Sequence, residues 1–254
     1  MTTEPTATST PTPHPVVTAD EWLKTRRKLL QEEKELTRHR DRVCAARRSL
    51  PWTKLEKSYE FQGPRGTVSL ADLFEGRSQL MIQHFMFGPD WDEGCSGCSF
   101  LADHVDAARQ HFEHADLSYA AVSRAPWATI APFKKRMGWQ FAWVSSHGSD
   151  FNYDFHVSFT DEELEAKSGF YNFEPTDPEI AELPGASVFY RDGDGTIFHT
   201  YSGFARGGED MIGAFMFLDY VPKGRNEKTI MDWVRHHDRY DDTPAADPTE
   251  SCCH

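Results

Sequence analysis

The chain has 254 residues, 40 acidic against 27 basic, and a formal charge of -13 with histidine neutral. That balance argues against nonspecific nucleic-acid binding and against attachment to an anionic membrane, and no apolar stretch approaches the roughly 20 residues of a membrane helix. Five cysteines, at 44, 95, 98, 252 and 253, are too few and too unevenly spaced for a disulfide scaffold and fit a reducing, cytoplasmic compartment.

Residues 1–17 are rich in Thr, Pro and Ser and have neither a basic nor an apolar leader region, so they read as a disordered tail. Thr18 and Glu21 form a capping-box pattern, with Val17 placed to staple against Trp22, and the helix they open runs toward Ser49 and stops before Pro51. Its basic residues between Lys24 and Arg48 alternate with Glu32, Glu33, Glu35 and Asp41, the pattern of a solvated face. Trp22, Leu29, Leu30, Leu36 and Val43 are sparse for such a length. Residues 18–50 are therefore expected to form an N-terminal helical arm that packs on the main domain, with a homodimer through this helix as the alternative.

The main domain is expected over 51–240. Tyr59 to Phe61 and Thr67 to Leu70 flank a Gly63-Pro64-Arg65-Gly66 turn and predict a hairpin. Leu80 to Phe87 is almost continuously apolar, as a strand buried on both sheet faces should be. A loop carrying Pro89, Asp90, Asp92 and Glu93 then delivers Cys95-Ser96-Gly97-Cys98. Beyond it Leu101, Val105, Ala108 and Phe112 recur on one face of a single predicted helix. Leu117 to Ser123 predicts a strand, 128–137 a helix ended by Gly138, and Gln140 to Ser146 a strand. Residues 147–184 are polar, aromatic and irregular. A hairpin follows, Ser187 to Arg191 and Thr196 to Ser202, joined by Asp192-Gly193-Asp194-Gly195. Met211 to Val221 is apolar, a final helix is predicted over 227–240, and 241–254 reads as a flexible acidic tail ending Cys252-Cys253-His254. This order of elements is that of an α/β domain with a thioredoxin-like fold: a mixed central sheet flanked by helices.

The two cysteines are the centre of the functional reading. A thiol at a helix N-terminus meets unpaired backbone N–H groups and the positive end of the helix dipole, which favour the thiolate. Asp90, Asp92 and Glu93 oppose that shift by like-charge repulsion. Cys95 is then the nucleophile and Cys98, one turn further in, the resolving thiol. Arg124, after a strand end, is placed to stabilise the thiolate or bind a substrate carboxylate, or else to pair with the acidic loop. His199, on the second hairpin strand with Ile197 and Tyr201 on its face, is a candidate general base. His84 carries the same ambiguity. Trp91, Trp127, Trp139, Trp143, Tyr153 and Phe155 suggest an aromatic centre made mainly for packing.

Gly94-Cys95-Ser96-Gly97-Cys98-Ser99-Phe100 with Asp103-His104, Val122-Ser123-Arg124-Ala125-Pro126, Arg136-Met137-Gly138-Trp139 and Trp143-Val144-Ser145-Ser146 with Asp150-Phe151-Asn152 together carry a resemblance. Val188-Phe189-Tyr190-Arg191, Phe198-His199-Thr200-Tyr201-Ser202 and Leu218-Asp219 with Gly224-Arg225 extend it to most of 59–240. The chain resembles the bacterial domain-of-unknown-function family 899, whose members are catalogued as predicted thioredoxin-like dithiol-disulfide oxidoreductases. The resemblance implies the fold and a thiol or disulfide substrate, with a redox partner protein. The strand-loop-cysteine segment also resembles peroxiredoxins, but Pro89 lies six residues before Cys95 rather than seven and Asp92 stands where those proteins carry Thr or Ser. Thioredoxins place a proline immediately before the strand facing the dithiol, whereas here Gly185 and Ala186 separate Pro184 from Ser187.

The main reading is a thiol-disulfide oxidoreductase that needs no cofactor. The alternative is a metalloprotein on the same fold, with copper or zinc held by Cys95, Cys98 and His199 and, for copper, oxidase chemistry on a thiol substrate. His104 is unsuited to that set, because six residues of continuous helix turn it about 240° from Cys98. Cys252, Cys253 and His254 offer either an electron shuttle or further metal ligands, against the plainer reading of an inert tail.

Overall fold

The computed structural model describes residues 14–240, so the terminal Cys-Cys-His lies outside the described residues. The described residues divide into two compact units: one holds 14–50 together with Phe217–Asn226, the other Pro51–Met216 and 227–240.

In the first unit, helix α1 (Ala19–Arg48) begins at the expected box. The Thr18 hydroxyl accepts from the Glu21 N–H at 3.3 Å, and the Glu21 carboxylate accepts from the Thr18 N–H at 3.0 Å. None of its residues is buried; Trp22, Leu29 and Leu36 are more than half exposed.

The second unit is built on an eight-stranded sheet. Its strands are β1 (Thr53–Lys54), β2 (Glu60–Gly63), β3 (Gly66–Ser69), β4 (Gln79–His84), β5 (Leu117–Ser123), β6 (Ala142–Ser145), β9 (Gly185–Arg191) and β10 (Ile197–Phe204), in the order β1-β10-β9-β4-β5-β6-β2-β3. A hairpin of β7 (Gly169–Tyr171) and β8 (Glu174–Thr176) stands apart. β4, β5 and β6 run parallel, and parallel neighbours require crossover helices. α2 (Ser96–Ala102) and α3 (Val105–His114) form the first crossover and α4 (Trp127–Arg136) the second, while β9 lies antiparallel against β4. This is the thioredoxin-like arrangement, with the Cys-Ser-Gly-Cys segment at the C-terminal end of the central strand.

Strand alternation sorts the interior into two cores. Met81, Gln83 and Phe85 share the face packed by Cys98, Val105, Tyr119, Ile130, Phe133 and Trp143. Leu80, Ile82 and His84 share the other, with Phe61, Phe74, Val122, Phe189 and, from α5 (Phe151–Asp154) and its end, Phe151 and Phe155. Residues 147–184 add α5, α6 (Asp161–Ala166) and the β7–β8 hairpin.

Two expectations are corrected. The predicted single helix after the cysteines is two, interrupted at Asp103 and His104. The Asp103 carboxylate accepts from Trp139 Nε1 at 2.8 Å and pairs with His237, and His104 bridges Phe100 O and the Ala214 N–H, so side chains needed elsewhere break the run. The predicted helix over 227–240 does not form beyond a 3-10 turn at His237–Arg239. The Asp232 carboxylate takes the N–H groups of Lys228 and Thr229, Met231 has φ +61°, and His236 is drawn to Gly94 O at 2.8 Å, so tertiary partners satisfy this segment in place of an i to i−4 ladder. The apolar run 211–221 follows a 3-10 helix (Ala205–Met211) and holds the six-residue helix α7 (Gly213–Leu218).

Candidate functional site

Cys95 is the N-cap of α2. The sequence fixes that place from both sides. Upstream, the Cys95 N–H donates to Met86 O at 3.0 Å, which turns the chain back against the end of β4. A side chain at Gly94 would put Cβ 2.6 Å from Phe85 and 3.0 Å from Phe133, so only glycine lets the loop pass under those rings. Downstream, the Ser99 N–H and hydroxyl both reach Cys95 O at 2.9 Å, closing the first turn.

Cys95 is partly exposed and Cys98 is buried at 5 %. The Cys98 thiol hydrogen-bonds the Cys95 sulfur and is the largest cause that holds its pKa down, at about 7. Burial acts against this, and the N–H groups of Cys98 and Gly97 add to the lowering. Cys98 itself receives the Met86 N–H on its sulfur at 3.5 Å, and its carbonyl accepts from Gln83 Nε2 at 3.0 Å. Gln83 Oε1 in turn accepts from the Tyr119 hydroxyl, whose pKa burial raises.

The acidic loop does not leave a bare charge beside the thiol. Glu93 is paired with Arg136 and Arg239, and Arg136 also grips Asp238. Arg136 Nη2 donates to His236 Nδ1 at 3.1 Å, so the His236 hydrogen sits on Nε2, where it donates to Gly94 O. This pins the segment after Glu227 to the loop that presents Cys95. From the same segment, Met231 Sδ stands 3.2 Å, and Cys95 Sγ 3.8 Å, from where a Cβ at Gly97 would lie.

The other predicted residues are placed elsewhere. Arg124 donates to Glu182 at 2.8 Å and lies 4.7 Å over the Tyr153 ring, so its expected pairing with the acidic loop is replaced by one with the 147–184 region. Glu182 is 2 % exposed and is also held by Ser158 at 2.7 Å; burial raises its pKa, against the pull of both partners.

His199 lies on the opposite face of the sheet from the cysteines, its ring against Phe155 and Phe189. A β-bulge at Thr200 sets His199 opposite Phe189 but Tyr201 opposite Val188, so the expected shared face of His199 and Tyr201 is lost. His84 is on the same side as His199, buried at 1 %, and burial pushes its pKa down to about 3. The set Cys95, Cys98 and His199 does not converge, and no group of three or more His, Cys, Asp or Glu side chains fit to hold a metal ion occurs among the described residues. Among the described residues, Cys95, Cys98 and His199 therefore do not fit the copper or zinc site expected of that set.

Residues 11–240 match the model of one family, described as bacterial protein of unknown function (DUF899). The chain belongs to this family. No curated protein matches. Among solved structures, the DUF899 chain is similar to the peroxidoxin BcpB of Mycobacterium tuberculosis, with 12% identity, a TM-score of 0.44 and coverage of 65% of this chain and 94% of that one. It is also similar to a cysteine-to-serine mutant of peroxiredoxin Q from Xanthomonas campestris (13%, TM-score 0.42, 62% and 90%). A third is the mitochondrial 2-cys peroxiredoxin of Plasmodium falciparum (12%, 0.38, 66% and 92%). Likeness at this level transfers none of their chemistry, and the fold of the DUF899 chain rests on its own strand order.

Gln83, Tyr119, His236 and Met231 were not singled out by sequence reasoning, and Arg136 only as part of a family motif. For Gln83 the signal was present: alternation along β4 puts a lone polar residue on the cysteine face between Met81 and Phe85. His236 and Met231 arrive by a tertiary return of the chain that leaves no local pattern.

Proposed function

We propose that this protein is a thiol-disulfide oxidoreductase working through Cys95 and Cys98. The observation that carries the proposal is the partly exposed Cys95 at the start of α2, with Cys98 and two backbone N–H groups arranged to stabilise its thiolate near neutral pH. Cys95 attacks one sulfur of a substrate disulfide; the new Cys95–sulfur bond forms as the substrate's own disulfide breaks, and the departing thiolate takes a proton from solvent. Cys98, deprotonated in turn, attacks Cys95 Sγ, and the second substrate thiolate leaves. Two electrons have then passed to the substrate and the protein holds a Cys95–Cys98 disulfide, which a cellular dithiol reduces. Gln83, held by Tyr119, fixes the Cys98 carbonyl and with it the turn that keeps the two sulfurs in contact.

The test is Cys98→Ser incubated with oxidised glutathione, followed by intact mass. A stable adduct of one glutathione per chain, located at Cys95 and released by dithiothreitol, is expected. No adduct at Cys95 in this variant, with wild type equally inert, would overturn the proposal.

A further inference from the structure

On the sheet face away from the cysteines, His199, Ser202, Phe155, Phe170, Phe173 and Phe204 contribute to a pocket of about 200 Å³, completed by Asp154, His156 and Asn172. Four features of its walls have no part in dithiol chemistry. The bulge at Thr200 brings His199 and Ser202 onto one face, where regular alternation would have separated them. Behind them runs a buried hydrogen-bonded chain: His199 Nε2 to Ser202 Oγ at 2.8 Å, Ser202 to Ser187 at 2.8 Å, and Ser187 to His84 Nε2 at 2.7 Å. Three lining residues, His156, Asn172 and Phe173, have positive φ, of 54°, 51° and 68°. The last two form the two-residue turn between β7 and β8, where glycine is the favoured second residue. Phenylalanine is instead held there at a conformational cost, 64 % exposed and edge-on to Phe204 at 5.3 Å.

One carbonyl sets the tautomer of His199. His199 Nε2 also lies 3.0 Å from Tyr201 O, which can only accept, so Nε2 carries the hydrogen. Burial disfavours the charged ring, leaving Nδ1 as an acceptor that no group among the described residues occupies. Asp154, the lining carboxylate, is already neutralised by Lys57 and bonded by Tyr59. The walls are largely aromatic, His199 is among the lining residues and keeps a neutral acceptor, and the volume suits one ring, since an apolar cavity of about 150 Å³ takes up benzene.

We infer that this pocket is a binding site, separate from the dithiol, for a neutral single-ring aromatic molecule that donates a hydrogen bond through a phenolic hydroxyl or equivalent N–H. The ring lies among Phe155, Phe170, Phe173 and Phe204, and the donor reaches His199 Nδ1.

Isothermal titration of the full chain with 4-methylphenol, toluene and 4-methylbenzoate tests this. The phenol is expected to bind, with toluene and the benzoate at least tenfold weaker. Phe173→Gly removes one wall and relieves the strained φ, so it should keep or raise Tm while weakening the phenol at least tenfold; His199→Phe should erase the preference for phenol over toluene. No phenol binding at millimolar concentration, equal binding of phenol and toluene by the wild type, or an unchanged phenol affinity in Phe173→Gly would overturn the inference.

Discussion

Two thiols three residues apart stand in contrasting surroundings. Cys95 opens to solvent at the first turn of a helix, and Cys98 is buried behind it with its own sulfur and carbonyl engaged. The spacing alone places Cys95 at the helix start and Cys98 one turn further in. It could not announce how far the thiolate is favoured, because the opposing carboxylate of Glu93 is cancelled by Arg136 and Arg239, which lie 43 and 146 residues away. Since Cys98 is the main cause of the lowered Cys95 pKa, alkylation of Cys95 by iodoacetamide, followed on its peptide by mass spectrometry, should rise with an inflection near pH 7 in the wild type. In Cys98→Ala the inflection should move up toward the ordinary thiol value near 8.5. Because the folded pKa lies below the unfolded one, the thiolate's contribution to stability is full above about pH 8.5 and is lost as pH falls through about 7. His199 marks the limit of residue-level reading. Its face depends on one extra residue at Thr200, and a bulge leaves no trace in a strand-like sequence.

At the scale of elements, strands and turns with strong local signals were legible: β4 from its unbroken apolar run, the β2–β3 hairpin from Gly63 to Gly66, the start of α1 from Thr18 and Glu21. Elements whose polar groups find distant partners were not. The segment after Glu227 carries helix-like spacing at Ile230, Trp233 and Val234, yet its backbone and side chains are tied to Asp232, Gly94 and Arg136 instead. The loop into α2 belongs to both classes, since Gly94 was part of a recognisable motif but the reason for glycine is the approach of Phe85 and Phe133. Gly94→Ala is expected to destabilise the protein by about 1–3 kcal/mol through overpacking. It should also slow alkylation of Cys95 relative to Cys44 by shifting the N-cap. A denaturant midpoint equal to wild type would show that the rings yield freely and that the loop is not held by this contact.

Across the whole second unit, the sheet keeps two chemistries apart. The dithiol, Gln83 and Tyr119 share one face with the Trp139 and Trp143 cluster; His84, His199, the two serines and the aromatic pocket share the other. The sequence placed the strands well enough to foresee a thioredoxin-like sheet. It gathered the cysteines and His199 as one site because both flank the same central strand, and only the register of β9 and β10 shows that they face opposite ways. No described helix is long and apolar enough to cross a membrane, in keeping with the composition. The central claim is that Cys95 and Cys98 cycle as a redox pair. Its most direct test is peptide mapping of disulfides across a series of glutathione buffers of defined potential. The account predicts a Cys95–Cys98 disulfide that forms and breaks reversibly, gaining or losing two titratable thiols at a single midpoint potential. A pair that stays fully reduced at every potential, or that oxidises only to glutathione adducts on separate cysteines, would contradict it.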